Sequence, residues 1–480
     1  MDQRVNKEEA ANALGISIEL IDKILDSQGQ SGISIKDYEF LVDEYCVDAE
    51  KTFEKGRDLF CDSQYLLAFP LLQKSERSGN IDALDILLQA YLFGIGVDED
   101  INTAIDYINK GINANSAISY YFGGKILREG RKVNQNLEQA FSLMKEAADL
   151  GDKDAESDLA EMYYMGEGTQ ADLNKAYEYA LKASNHGISK SSGLLGFIYS
   201  DSSFEGQDYK KALPLLEEGA ENGNVSCMNH AGYIYDTGKA DIIDYAKAFN
   251  LFKRASDEGD LDATYNLALY YKFGKHVEKD INKALSLFKN LAENNYVKAM
   301  SQIATIYYRG EDIQKDHSKA FEYWKKASDL GDLKSTINLG SLYFNGDYVK
   351  RDFHEAYRLY YEAAKKDYPA AFYKLGEIYE YGCGLRRDRD KAITFYRVAS
   401  LLGDSDADEK LLSMNVEKTS QSGINTKILD EIIKDVLKDG FSNLVSGAID
   451  KFLDEEGNEL LSDAIGNVAA EMLFSMIDKR

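Results

Sequence analysis

Residues 153–187 read KDAESDLAEMYYMGEGTQADLNKAYEYALKASNHG, the pattern of two helices and two glycine stops. Ala155, Leu159, Ala160 and Tyr163 fall at i, i+4, i+5 and i+8, one face of a helix. Gly166 and Gly168 then break it, supplying the left-handed backbone that ends helices. Asp172 stands where an N-cap belongs, accepting hydrogen bonds from the free amides of a second helix. That helix carries Ala176, Tyr177, Ala180 and Ala183, and Gly187 terminates it. Each helix has about 13 residues, or roughly 20 Å at 1.5 Å per residue.

Outward from this unit the same pattern recurs every 36 residues in both directions. Ala68, Ala104, Ala140, Ala176, Ala212, Ala248, Ala284, Ala320, Ala356 and Ala392 form one ladder. A second is acidic or amide and runs from Asp100 and Asn136 through Asp172 to Asp388, while a third is tyrosine, from Tyr163 to Tyr379 with Tyr91 before it. Two glycine ladders, through Gly166 and through Gly187, mark the helix ends. Alanine recurs because small side chains let two helices approach closely; a larger one there would be overpacked, at about 1–3 kcal/mol. Some units depart from the pattern. The loop glycine is missing around Ser202, which predicts a looser turn over Ser200–Gly206, and Asn115, Asn295 and Asp367 replace the terminal glycine. Asn adopts the left-handed conformation more readily than Asp does.

Composition agrees with a repeat array. A chain of 480 residues is too long for one core, which stops growing at about 250–300 residues. Three prolines leave long helices uninterrupted, so the 37 glycines do the punctuation. The net charge of −26 disfavours phosphate backbones, whose affinity comes mostly from Lys and Arg, and anionic membranes. Cys46, Cys61, Cys227 and Cys383 show no CxxC pair and no framework of spacings. The N-terminal residues lack the apolar core of a signal peptide, and no stretch approaches the ~20 apolar residues of a membrane span. A reducing, cytoplasmic setting is expected.

The pattern A-x-x-x-L-A/G-x-x-Y-x-x-G-x-G, then D-x-x-K-A, an aromatic four residues on and A-x-x-x-G, resembles the Sel1-like repeat, a cousin of the tetratricopeptide solenoids. Residues 371–384 with Asp390-Lys391-Ala392 match it closely, and Trp324 falls four residues after Ala320, where that family favours an aromatic. The resemblance covers about residues 44 to 417. It implies an all-α fold, a right-handed superhelical solenoid of antiparallel helix hairpins, acting as an adaptor or scaffold that binds another protein. Ten repeats and a capping helix are expected over 46–417, because a solenoid's last core face would otherwise meet water.

Before the array, residues 1–45 read as a small helical module. Its Ala11, Gly15 and Ile21 have the spacing of helix-turn-helix packing residues, and the segment is similar to the N-terminal module of bacterial initiation factor two. A DNA-reading second helix should offer basic or amide side chains, whereas this one offers Glu19, Asp22 and a single Lys23. A nucleic-acid-linked regulator working through this module is therefore the second functional reading. After the array, residues 418–480 comprise a polar linker and three apolar stripes at helical spacing, such as Ile428, Leu429, Ile432 and Ile433. Packing as a small bundle, homodimerisation or docking of a partner protein through these helices would bury them, and the acidic charge disfavours membrane contact.

The chemical alternatives are poorly supplied. His186, His230, His276, His317 and His354 are scattered over different repeats with no second ligand at metal spacing, and read as loop or surface residues. The Gly-x-Gly pairs follow helices and not strands, so a nucleotide site is not indicated. Cys227 sits in a small-residue ladder and reads as packing. No catalytic residue, metal, cofactor or small-molecule substrate is expected. Binding residues are expected where the first helices of the hairpins stop repeating, at the positions of Tyr265, Leu269, Lys272 and Phe273. Such positions should face the concave wall, and several carry the Tyr and Arg enriched at binding hot spots. The candidate set is Tyr233, Tyr265, Leu269, Phe273, Tyr308, Arg309, Phe344, Tyr373 and Tyr381. A partner protein or peptide is expected there, with the acidic surroundings favouring a basic one and regulation or neutralisation of that partner as the outcome.

Overall fold

A helix followed by a left-handed glycine, a short loop and a capped second helix is what the sequence encodes, and the computed structural model shows it in most units. It describes residues 4–25 and 30–416. The C-terminal stripes and the expected linker lie outside the described residues. The chain divides into two compact units, Met1–Asp260 and Leu261–Arg480. The first holds the N-terminal module and six hairpins, from Ala49–Cys61 paired with Tyr65–Arg77 to Val225–Thr237 paired with Tyr245–Asp257. The second holds four hairpins, from Leu261–Phe273 with Ile281–Glu293 to Pro369–Tyr381 with Arg389–Leu401, and then the closing helix Ser405–Ser413. The hairpin helices are 12 or 13 residues long, as the glycine spacing requires.

All hairpins but the first, which closes from the Gln64 amide to the Leu59 carbonyl with no side-chain cap, are closed the same way. Gly166 ends the helix Lys153–Met165 at φ 72°, its amide donating to the Met162 carbonyl. Six residues later the Asp172 amide donates to the Tyr163 carbonyl at 2.9 Å, while the Asp172 carboxylate accepts from the Asn174 and Lys175 amides. The same closure joins Asp100 to Tyr91, Asp208 to Tyr199, Asp280 to Tyr271 and Asp388 to Tyr379, with Asn136 to Leu127 as the variant. The looser turn after Ser200 keeps this bond at 2.8 Å and fills the missing loop volume with the buried Phe204 ring. Asn115, Asn295 and Asp367 do take the left-handed conformation in place of glycine, at φ 62°, 57° and 54°.

The tyrosine ladder has a second role. Twelve residues after six of the ladder tyrosines, the lysine of D-x-x-K-A lies over the ring, as Lys175 over Tyr163 at 5.2 Å, Lys247 over Tyr235 at 4.7 Å and Lys283 over Tyr271 at 4.1 Å; Tyr91 and Tyr343 have Thr103 and Glu355 there instead. Such contacts contribute about 0.5–1 kcal/mol each at exposed sites. All ten ladder alanines, Ala68 to Ala392, are fully buried, as close helix approach demands. Trp324 is buried among Ala320, Ile303 and Leu342.

The N-terminal module is not purely helical. Strands Arg4–Asn6 and Gly32–Ser34 pair antiparallel with Val5 opposite Ile33, around helices Lys7–Leu14 and Ile18–Leu25 and before helix Ile35–Tyr45. Val5 and Ile33 are buried between more exposed neighbours, the period of two that a three-residue strand is too short to advertise in sequence. Ala11 and Ile21 are buried and Gly15 caps its helix at φ 69°, as the helix-turn-helix spacing requires. Asp22 is tied to the buried Lys7 by an ion pair. Tyr38 donates to the Leu67 carbonyl, so the module's core runs on into the first hairpin.

The second loop glycine is held by sterics rather than by chain reversal alone. A Cβ on Gly168, whose φ is 68°, would stand 2.0 Å from the carbonyl oxygen of Leu137 in the preceding hairpin. Replacing Gly168 by Ala should therefore cost about 2–4 kcal/mol in urea unfolding, combining left-handed strain with overpacking. Lys132 occupies the equivalent site one repeat earlier at φ 61°. Its change to Gly should stay within about 0.5 kcal/mol of neutral, since relieved strain offsets the added entropy of the unfolded chain. A Gly168→Ala variant as stable as the parent would show that the loops do not lock adjacent hairpins.

Candidate protein-interaction site

The first helices bury their ladder face and leave the remaining positions free to vary. In the first unit Tyr233, on Val225–Thr237, is 40% exposed, with the Lys239 ammonium 4.9 Å from its ring centroid. In the second unit the candidate residues separate into two groups. Phe273 is 60% and Tyr381 58% exposed, and the Arg309 side chain is 68% exposed. The others are half-buried and already packed within the chain. Tyr265 lies 5.6 Å from the Phe288 and Tyr296 rings and its hydroxyl accepts from Gln302 at 3.2 Å. Tyr308 stacks on His317 at 4.9 Å, lies 5.2 Å from Trp324, and donates to Asp347 at 2.9 Å. Leu269 packs on the core around Ile303 and Trp324, Phe344 on Phe353 and Tyr373 on Tyr396. The half-buried rings pack mainly against the second helix of their own hairpin, and the exposed group is the part left open to solvent.

One neighbour of these residues is more unusual than any of them. Lys272 stands among the variable positions, yet it is only 5% exposed. Its ammonium donates to the Gln302 side-chain oxygen at 2.9 Å and lies 3.5 Å from Glu311, which also pairs with Arg309 at 3.4 Å. Burial pulls the Lys272 ammonium below the usual lysine range; Glu311 opposes this, while Arg309 and Lys334 add to it. Position in the repeat located this residue, but burial of a lysine leaves no mark in hydrophobic periodicity.

Among the described residues no group of His, Cys, Asp and Glu is arranged to hold a metal ion, and no helix is long and apolar enough to cross a membrane. All four cysteines are free thiols. Cys227 is fully buried, and a Cβ on Gly193 or Gly219 would stand 2.8 or 2.6 Å from its sulfur. It fills the gap that two glycines open, and burial pushes its thiol up to about 11. His230 is not the loop or surface residue expected of the histidines. It sits inside a helix, half-buried, with its ring 5.3 Å from Phe197 and 6.2 Å from Tyr233.

Burial, reinforced by Lys239, holds the His230 pKa below the ordinary histidine value. A histidine depressed in the folded state binds its proton more readily once unfolded, so stability is full above the unfolded pKa of about 6.5 and falls as pH drops through it. His230→Gln should flatten this loss in urea unfolding compared at neutral and mildly acidic pH. Identical pH slopes for parent and variant would place the titration elsewhere.

With this geometry in hand, comparison with known proteins is specific about the repeat. The Sel1 repeat matches residues 89–116, 117–152, 153–188, 193–224, 225–260, 261–296, 297–332, 334–368 and 369–404. No curated protein matches the sequence. Among solved structures, the chain is similar to c5321, a protective antigen of uropathogenic Escherichia coli strains displaying an SLR fold. The identity is 22% with a TM-score of 0.64, covering 95% of this chain and 98% of that one. It is also similar to a Sel1 repeat protein from Oxalobacter formigenes, at 22% identity and a TM-score of 0.50, over 68% of this chain and 93% of that one. The nine matched repeats span most of the chain and fall on the observed hairpins: the protein belongs to the Sel1 repeat family.

Proposed function

We propose that this chain is a non-catalytic scaffold that recognises a partner protein through the variable face of its first helices, and that it regulates or neutralises that partner. Sel1 repeat proteins are scaffolds for protein–protein interaction, and this supplies the class. The observation that carries the reading is the exposure of Phe273, Arg309 and Tyr381 on helices whose ladder residues are buried. The folding pattern does not require large rings in water there, whereas aromatic and Arg side chains concentrate at binding hot spots. Tyr265 and Tyr308, held by Phe288 and Trp324, would give those anchors a rigid backing.

Phe273→Ala with Tyr381→Ala tests this without removing core rings. The double variant should lose capture of a partner from cell extract by the immobilised full-length chain, while its melting temperature stays near that of the parent. Undiminished capture would move the site off this face. Self-association through residues 427–480 belongs to the same proposal: light scattering should give the mass of a dimer for the full chain and of a monomer after deletion of 418–480, and the same number of chains in both would dismiss it.

A further inference from the structure

Four repeats separate two sets of register positions that carry the same backbone arrangement with different chemistry. In the first unit the set is Arg128, Asp158, Glu161, Glu167 and Lys190. Arg128 pairs with Glu167 at 2.7 Å and with Glu161 at 3.4 Å. Lys190 pairs with Glu161 at 2.9 Å and with Asp158 at 3.0 Å. Two cations thus meet three carboxylates, and both cations are held above their ordinary pKa despite partial burial.

In the second unit the same positions are Lys272, Gln302, Thr305, Glu311 and Lys334. The cations persist and two of the three carboxylates are gone. Gln302 offers Lys272 a neutral oxygen, and the Thr305 hydroxyl turns back to the Ser301 carbonyl at 2.8 Å. Glu311 alone remains, and it is divided between Lys272 and a further cation, Arg309, which stands where the first unit has Met165. Lys334 is exposed and forms no ion pair among the described residues. Nearby Asp347 accepts the Tyr308 hydroxyl and the Asn345 amide rather than a cation. A buried ammonium with half a counter-ion is costly, and charge-assisted hydrogen bonds to carboxylate are the strong remedy.

We propose that this cluster receives the carboxylates of an acidic segment of the partner protein, at the places that Asp158 and Glu161 occupy in the first unit. The exposed Phe273 ring beside Lys272 gives the same segment an apolar contact, so an acidic side chain with an aromatic or aliphatic neighbour is the recognised element. This rests on the protein-binding reading above and adds the chemistry of the partner to it.

The test uses the full-length chain and a library of capped synthetic peptides, acidic, neutral and basic, each acidic member paired with its Gln/Asn isostere. Acidic peptides carrying an aromatic or aliphatic residue should bind, and their isosteres should bind about tenfold more weakly or worse, by fluorescence anisotropy. Gln302→Asp with Thr305→Glu installs the first unit's carboxylates and should weaken acidic-peptide binding about tenfold without lowering the melting temperature. Lys334→Gln, at an exposed site that cannot unfold the chain, should weaken it to a similar degree. Preference for basic or neutral peptides, or acidic binding unchanged in both variants, overturns the proposal. If those variants still capture the partner while Phe273→Ala/Tyr381→Ala does not, acid recognition falls and the binding face stands. If the aromatic variant also captures it, the face itself is lost.

Discussion

Nine of the ten hairpins depend on one hydrogen bond, from the amide of the capping Asp or Asn to a carbonyl in the last turn of the first helix, as from Asp172 to Tyr163 at 2.9 Å. That bond satisfies two backbone groups that helix ends otherwise leave without partners. It also fixes how far the second helix starts from the end of the first. A left-handed glycine turns the chain into it in most units, although the turn after Ser200 reaches the same bond without one, and the Asp or Asn side chain caps the second helix. In most units the tyrosine contributes its carbonyl to the closure and its ring to the lysine of the next helix. Leu127 shows the limit of that rule: it keeps the backbone bond and gives up the ring.

With the closure fixed, the alanine ladder sets the distance between helices and register becomes common to all repeats. This explains why so much was legible beforehand. Helix Lys153–Met165, its glycine stop, the Asp172 cap and the looser turn at Ser200 were all written in residue types that local backbone chemistry requires. The N-terminal strands were not legible, because three residues show too little of a two-residue period. His230 was misplaced because a histidine wedged between Phe197 and Tyr233 looks, in sequence, like any polar residue on a helix. The variable face was located by where repetition stops, yet its division into supporting rings such as Tyr265 and exposed ones such as Phe273 depends on three-dimensional contacts, of Tyr265 with Phe288 in its own hairpin and with Gln302 in the next. Single-repeat periodicity does not contain that information.

The charges illustrate the same separation. The overall charge of −26 argues for a basic partner, but that argument holds only for encounter at a distance. Exposed charges further apart than about 8 Å are largely screened at physiological salt. A bound segment therefore feels the few groups it touches, and partly buried groups are screened least. Around Lys272 those groups are cations sharing the single carboxylate of Glu311, whereas around Arg128 the chain brings Asp158, Glu161 and Glu167 of its own. Because the ladder residues carry the fold, exchanging Asp158 for Gln302 and Glu161 for Thr305 leaves the hairpin closures of both units intact. Partner chemistry can thus change from repeat to repeat on a constant backbone, and the local sign, rather than the total, decides what the face accepts.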